Sequence, residues 1–346
     1  MMKKRLFFPL FIFAFLFLAF TGCKSGNEKS KVFKPNFSGE AGEILVVVEK
    51  KIWDDTLGKA MKYIFQQEIY GLPQPEPMFT LMNINPEGFE KLYQTHRNII
   101  IVRIADKYQK PALKLQEDVW AHPQKVMNVA GSADTAVIRK LMDQQEKMRS
   151  LFRSADRNRL IDYFRKNEKQ KIRNQLIKEH HVSLTVPVGY NIDKSEKDFI
   201  WIAHETTNMS QGIFVYHYPY EDPSTFTKSY LLDKRNEYLK KYVPGPTQGS
   251  YMTTENRFID PRFEEIVYKE RYFARMRGLW RVENDFMGGP FISLTTLDKA
   301  RNRVVTVEGY VYAPQFDKRK YIRQLEAILY TLKIPGDKRG DAKIAE

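Results

Sequence analysis

Cysteine is almost absent from this chain of 346 residues, and Cys23 is the only one. A single thiol excludes an intramolecular disulfide and any zinc site built on several cysteines. The P-loop and G-x-G-x-x-G phosphate-binding patterns are missing, as are the H-E-x-x-H zinc motif and the G-x-S-x-G nucleophile elbow. These absences predict a protein with no cofactor, no metal site and no catalytic residue of a recognised type.

Histidine is also scarce, with six in the whole chain: His96, His122, His180, His181, His204 and His217. None of them is separated from another by the i, i+4 spacing that places two ligands on one helix face. The adjacent pair His180 and His181 would point about 100° apart on a helix. We therefore expect structural roles for the histidines.

Long hydrophobic runs are confined to the N-terminus. Lys3, Lys4 and Arg5 precede the uncharged, mostly apolar residues 6–20, a run of 15, whereas a bilayer-spanning helix needs about 20. A basic start, a short apolar run and small residues predict a secretory signal peptide over 1–22. The position of Cys23 resembles a bacterial lipobox, whose cysteine is acylated, with palmitate among its lipids, and becomes the first mature residue. The alternative is an ordinary signal peptide with an incidental cysteine.

Positive charge prevails, since 56 Lys and Arg residues face 42 Asp and Glu residues and give a net charge of +14. The apolar fraction of 42% is enough for packed cores, and the length favours two domains. We predict an α+β protein with the following parts: a tether at 23–38, an N-terminal α/β layer domain at 39–131, a long basic helical connector at 132–181, a C-terminal antiparallel sheet with packing helices at 182–334, and a frayed tail at 335–346.

Hydrophobic periodicity gives the expected elements. In the first domain we expect strands at 43–49, 78–84, 98–104 and 125–129, with helices at 52–69 and 87–93. In the second we expect strands at 183–187, 199–203, 212–218, 264–277, 279–284, 290–297 and 303–313, with helices at 226–242 and 318–332. Short links between the last four strands imply antiparallel pairing.

The connector is strongly basic. Residues 139–179 contain no Gly or Pro, and they carry 13 basic and six acidic side chains. A basic helix can bind an acidic partner or a membrane surface. The simpler interpretation, which we favour, is a solvated helix face with i, i+4 pairs such as Asp162 with Lys166.

The sharpest candidate site lies in the second domain. If 264–277 is one strand, Lys269, Arg271, Phe273, Arg275 and Arg277 share one face by the period of two. Guanidinium groups match phosphate and carboxylate geometry, so this face predicts an anion-binding site. The candidate ligand-binding set also includes Trp280, Arg281, Gly288 and Gly289. The alternative is the solvated face of a half-exposed strand, with Glu partners on neighbouring strands.

Several short strings resemble DUF4837, a Bacteroidetes lipoprotein family of unknown function. The strings are Gly42–Val47, Gly71–Pro77, Arg97–Ile100, Gly288–Phe291 and Tyr312–Pro314. The resemblance covers nearly all of 39–334, and it implies a Gram-negative cell envelope without implying an activity. A fainter similarity of 184–190 to the PsbP-like fold concerns the fold alone.

Two hypotheses about function follow. The first is a non-enzymatic lipoprotein, anchored in the outer membrane through Cys23 and facing the periplasm, that binds or scaffolds an anionic lipid, a glycan or an acidic protein complex. Nucleic acid is not an expected partner in that compartment. The second is an envelope hydrolase acting on glycan or lipid, with a carboxylate pair in an interdomain cleft.

Two short motifs bear on modification of the envelope protein. Asp55-Thr56-Leu57 and Asp134-Thr135-Ala136 resemble the O-glycosylation signal of Bacteroidetes envelope proteins. Helix-start chemistry explains both equally well, so glycosylation of Thr56 or Thr135 stays open.

Overall fold

Two β-sheets organise the part of the chain that the computed structural model describes, residues 33–336. The predicted signal peptide, Cys23 and nearly all of the predicted tail lie outside the described residues. One mainly parallel sheet and one antiparallel sheet, each with packing helices, confirm the predicted α+β class. Both sheets belong to one compact unit that begins at Pro35, and the domain boundaries near 131 and 181 stay predictions.

The first sheet is mainly parallel. Its strands are β1 (Glu43–Val47), β2 (Thr80–Ile84), β3 (Asn98–Ile104), β4 (Ala112–Glu117) and β5 (Lys125–Gly131). They lie in the order β2–β1–β3–β5–β4, and β4 alone runs antiparallel to its neighbour. The apolar runs of β1 and β3 are buried on both faces, which explains why they lack polar alternation.

Helices cover one face of this sheet. They are α1 (Lys50–Asp54), α2 (Thr56–Phe65) and α4 (Asp134–Asp143), and the short α3 (Lys91–Gln94) lies between β2 and β3 in sequence. The single helix expected over 52–69 is wrong in detail. The extended backbone of Asp55 separates α1 from α2, and the second helix already ends at Phe65.

One long helix, α5 (Gln145–Lys166), contributes to the cores of both sheets. Near its start, Met148 and Phe152 pack in the core of the first sheet. Near its end, Ile161 and Phe164 pack in the core of the second. The predicted connector is therefore a succession of α4, α5 and α6 (Gln170–Gln175), followed by a π-helical turn to His180.

The second sheet is antiparallel. Its strands are β6 (Asn191–Ser195), β7 (Phe199–Glu205), β8 (Ser210–Pro219), β9 (Met252–Glu255), β10 (Arg262–Tyr268), β11 (Arg271–Val282), β12 (Gly288–Asp298) and β13 (Arg303–Tyr312). The order is β10–β11–β12–β13–β8–β7–β6, and β9 pairs with β11 beyond the end of β10. Short hairpin links between the later strands produce the antiparallel pairing that we expected.

Helices pack on both faces of the second sheet. On one face, α7 (Lys228–Tyr242) joins an aromatic core that includes Phe214 and Tyr216. Beneath α7, Arg235 and Glu308 form a fully buried ion pair with a nitrogen–oxygen distance of 2.7 Å. On the other face, α8 (Arg319–Leu329) packs through one strongly apolar side.

One expected strand is absent, and three strands of the structure were not expected. Residues 183–187 form no strand, although Leu184 and Val186 are buried, because the segment makes only isolated bridges to Lys333 and Glu168. The polar edge strands β4 and β6 and the short β9 escape prediction. Each of β6 and β9 has only one apolar residue, and the alternation in β4 is limited to Leu113 and Leu115, so the apolar pattern that identifies a half-buried strand is weak or missing.

Candidate functional site

The segment 264–277 that carries the predicted site is a hairpin and not one strand. Strands β10 and β11 pair from Arg262 opposite Arg277 to Tyr268 opposite Arg271. Lys269 and Glu270 form the turn, and both have positive φ values of 47° and 63°. Lys269 therefore lies outside the strand face on which we placed it.

The remaining stripe residues do share one face of β11; Arg271, beside the turn, is half-buried, and the face from Phe273 onward is covered. Phe273 is in the core of the second sheet with α8. The side chains of Arg275 and Arg277 are only 11% and 13% exposed. The alternative of a solvated face is thus wrong, because these side chains are largely buried. The Glu partner on a neighbouring strand that it predicted is present: Arg275 donates to Glu264 on β10 at 2.7 and 3.0 Å.

The other members of the predicted set lie elsewhere. Trp280 points to the opposite face of β11, where its indole N–H donates to the Val311 carbonyl at 3.2 Å. Gly289 pairs with Trp280 across the sheet, and a Cβ there would lie 2.0 Å from the Val311 carbonyl oxygen. Arg281, opposite Gly288, forms ion pairs with Glu255 and Glu283. The structure therefore does not bring the predicted set together at one site.

Arg275 and Arg277 line a cavity of about 430 Å³ at the junction of the two sheets. Its walls come from the segment after α2, from α5, from β10 and β11, and from α8. Seven arginines line it: Arg149, Arg153, Arg157, Arg262, Arg275, Arg277 and Arg323. Five carboxylates line it as well: Glu68, Glu146, Asp156, Glu264 and Glu326. We call it the arginine cavity.

Helix α5 supplies a stripe of three of these arginines. Arg149, Arg153 and Arg157 recur every four residues, and this spacing puts them on one helix face. We expected the basic side chains of this segment on a solvated face, and for these three that expectation is wrong. The expected Asp162–Lys166 pair is also replaced, because Asp162 pairs with Arg165 at 3.1 Å. The i, i+4, i+8 repetition of arginine was the signal available in the sequence.

Most arginines of the cavity have a carboxylate partner. Arg277 pairs with Glu326 at 2.7 Å, and Arg262 pairs with Glu264 at 3.3 Å. Arg149 pairs with Glu146. These contacts neutralise much of the wall and fix the side chains in place.

Arg153 and Arg157 differ, because neither forms an ion pair with any of the described residues. Arg157 instead stacks on Tyr330, with 3.9 Å between its guanidinium carbon and the ring centroid, and its buried Nε has no hydrogen-bond partner within residues 33–336. Arg323 likewise keeps a buried Nη1 without a hydrogen bond there, 3.9 Å from Asp156. The cavity therefore presents unused guanidinium donors.

The charges of the cavity are coupled. Burial alone would raise the pKa of Glu326, but Arg277, Arg153, Arg157 and Arg275 together lower it to about 2. Burial lowers the pKa of Arg323 to about 10, against the opposing effect of Asp156. Glu326 and Arg323 are therefore both ionised at neutral pH, and arginines outnumber carboxylates in the described lining.

Asp156 connects the cavity to the first sheet. Its carboxylate accepts hydrogen bonds from Arg159 at 2.8 Å, from the Gly42 amide at 2.8 Å and from the Asn98 side chain at 3.2 Å. Gly42 has a φ of 88°, and a Cβ there would lie 2.2 Å from Arg323 Nη1. The close approach of backbone to guanidinium thus requires glycine at position 42.

The histidines and the two glycosylation motifs lie away from the cavity. Within residues 33–336, no group of three or more His, Cys, Asp or Glu side chains is arranged to hold a metal ion. Thr56 and Thr135 lie in the first turns of α2 and α4, and neither helix has a side-chain hydrogen bond at its N-cap within the described residues. In the same described range, no helix is long and apolar enough to cross a membrane.

Fold and cavity together define an α+β protein with an arginine-lined cavity between two sheets. A family model described as "Domain of unknown function (DUF4837)" matches residues 169–331, and one described as "Domain of unknown function (DUF8532)" matches residues 38–165. The second half of the chain thus matches DUF4837, which confirms that resemblance there. The first half, which we had assigned to the same family, matches the second description instead. A search of curated proteins found no match.

Proposed function

We propose that the protein is a non-enzymatic cell-envelope lipoprotein that binds an anionic envelope component in the arginine cavity. The observation that carries this proposal is that Arg153 and Arg157 line the cavity wall with no carboxylate of the described residues within ion-pair distance, although both act on Glu326 from farther away. Partly desolvated guanidinium groups that lack an anion are unfavourable on their own. An entering anion would complete their coordination.

Phosphate or carboxylate groups suit this site best. Guanidinium donors bind both bidentately, and such charge-assisted hydrogen bonds are about twice as strong as neutral ones. The net charge of +14 would also steer anions towards the molecule. A phosphorylated lipid head group, an acidic glycan or an acidic protein segment carries the required chemistry.

The proposed location rests on the N-terminal sequence. The signal-like pattern before Cys23 supports acylation of that cysteine and insertion of its lipid chains, palmitate included, into a membrane. Because Lys24-Ser25-Gly26-Asn27 lacks the acidic run that resembles a surface-export signal, we place the protein on the periplasmic face of the outer membrane. Incorporation of labelled palmitate by the wild type but not by Cys23→Ser is the expected result; equal labelling would contradict it.

The hydrolase alternative receives less support. Glu264 and Glu326 both face the cavity, as that alternative requires. However, a general acid needs a raised pKa, whereas the surrounding arginines lower the pKa of both carboxyl groups despite burial. Neither group would hold a proton at neutral pH.

Recovery of the tagged protein from its own membranes after mild crosslinking tests the binding proposal. Replacing Arg275 or Arg277 by Glu would place a second carboxylate beside Glu264 or Glu326 and could unfold the protein. Arg153→Gln/Arg157→Gln is the better variant because it breaks no ion pair of the described residues. Lys147→Gln/Lys166→Gln is the matched control, since it removes two charges from exposed positions on the same helix. We expect an anionic component, identified by mass spectrometry, that the arginine variant loses and the control retains. Equal recovery by both variants would contradict the proposal.

A further inference from the structure

A second cavity of about 470 Å³ opens on the opposite face of the second sheet. Residues from β7, β9, β11 and β13 line it, together with the segment after α7. On β11, alternation sends Arg277 to the arginine cavity and Trp280 to this one. The two cavities therefore share a strand but not a face.

Aromatic rings form one wall of this second cavity. The centroid of Trp280 lies 5.5 Å from that of Tyr310 and 6.2 Å from that of Tyr312. The indole N–H of Trp201 donates to the Tyr310 hydroxyl at 3.1 Å, and that of Trp280 donates to a backbone carbonyl. Both indole donors are thus already satisfied within the protein. The wall offers hydrocarbon surface rather than hydrogen bonds.

Flexible apolar side chains complete the lining. Met252 and Met287 contribute thioethers, and Val282 adds a branched chain. Methionine adapts its shape readily to an irregular apolar ligand. Against these aromatic and aliphatic side chains, a sugar ring or a peptide backbone would bury polar groups without partners, which costs free energy. An aliphatic chain would meet no such cost.

Charge separates the two cavities. Among residues 33–336, no Lys, Arg or His lines the second cavity, and Glu205 at its exposed edge is the only Asp or Glu that does. A lining of this kind disfavours anionic ligands, in contrast to the seven arginines of the other site. Thr206, Thr207 and Asn208 are exposed beside Glu205 and could solvate a neutral head group.

We propose that this second cavity binds an aliphatic acyl chain of an uncharged lipid. The chain would lie against Trp201, Trp280 and Tyr312, and its polar end would remain near Glu205. Desolvation of methylene groups would supply the affinity. The inference does not depend on the function proposed for the arginine cavity, because none of the described residues lines both sites.

Neutral n-alkanols from hexanol to decanol provide the test, with the full chain carrying Cys23→Ser so that the protein is not acylated. Tryptophan fluorescence reports binding, since two of the four tryptophans line the cavity. We expect Kd to fall about fourfold for each added methylene, the equivalent of about 0.8 kcal/mol. Decanoate should bind more weakly than decanol, and Glu205→Gln should reduce that difference.

Two variants locate the effect. Met287→Lys places a charge at a half-buried position of the lining and should weaken decanol binding at least tenfold. Phe286→Ser is the control, because this neighbouring side chain is fully exposed and outside the lining. Affinity that does not change with chain length, stronger binding of decanoate than of decanol, or unchanged binding by Met287→Lys would each overturn the proposal.

Discussion

Glu326 is the carboxylate on which four arginines of the cavity act. Its ion pair with Arg277 is largely buried, with side chains 13% and 14% exposed. Removing one partner of such a pair leaves an uncompensated charge in a poorly hydrated place, which typically costs about 3–5 kcal/mol. Glu326 therefore affects both the free energy of unfolding and the net charge of the arginine cavity.

Glu326→Gln should lower the free energy of unfolding at pH 7 by about 3 kcal/mol, as measured by urea denaturation. Because the folded-state pKa of about 2 lies below the ordinary value of 4.5, the contribution is complete above pH 4.5 and is lost as the pH falls towards 2. The difference between wild type and variant should therefore shrink by pH 3.5. Glu146→Gln, at an 85% exposed side chain, is the control; an equal cost for both variants would argue against this account.

His217 should make stability depend on pH in a higher range. Burial, with Arg303 and His180 nearby, lowers its pKa from 6.5 to about 4. The unfolded chain then binds more protons between these values, so stability is complete above pH 6.5 and declines as the pH falls towards 4. His217→Gln should flatten the change in urea midpoint over this range, whereas the exposed His122→Gln should not. An unchanged slope in His217→Gln would refute the assignment.

At the scale of elements, the prediction of one strand over 264–277 is wrong because this segment folds into a hairpin. The run alternates apolar and polar residues without the Asn-Gly or Asp-Gly pair that marks a tight turn. Lys269 and Glu270 occupy left-handed backbone conformations that glycine and asparagine favour. The face shared by Arg275 and Arg277 was predictable from the period of two, but the helices that cover it were not.

Glu270→Gly should stabilise the protein by about 1 kcal/mol, because glycine relieves the cost of a φ of 63° in the turn. Thermal unfolding measures the effect. Lys299→Gly is the control. It introduces glycine at an exposed position in the short helical turn 299–301, where it should be neutral or destabilising. A lower melting temperature for Glu270→Gly would contradict the role assigned to this turn.

At the scale of the whole molecule, the α+β class and most of the strands followed from hydrophobic periodicity. The arginine cavity did not, because its walls come from segments that are far apart in sequence, from Gln67 to Glu326. Only the arginine spacing along α5 could have indicated it. Long-range assembly of charged side chains has no local signature in a single sequence.

The shared helix α5 predicts cooperative unfolding. It contributes buried side chains to both sheet cores, and Asp156 ties it to the first sheet beside the cavity. Scanning calorimetry of the full chain should therefore show both sheets unfolding in one transition. The calorimetric and van't Hoff enthalpies of that transition should be equal. Two separate transitions would show that the sheets are independent.

Calorimetric titration of the full chain with inorganic phosphate and with pyrophosphate tests the binding role of the arginine cavity most directly. The account predicts saturable binding that weakens with added salt, with pyrophosphate bound more tightly because it carries more charge. Arg153→Gln/Arg157→Gln should lose at least tenfold in affinity, whereas Lys147→Gln/Lys166→Gln should retain it. No saturable binding, or equal loss in both variants, would contradict the account.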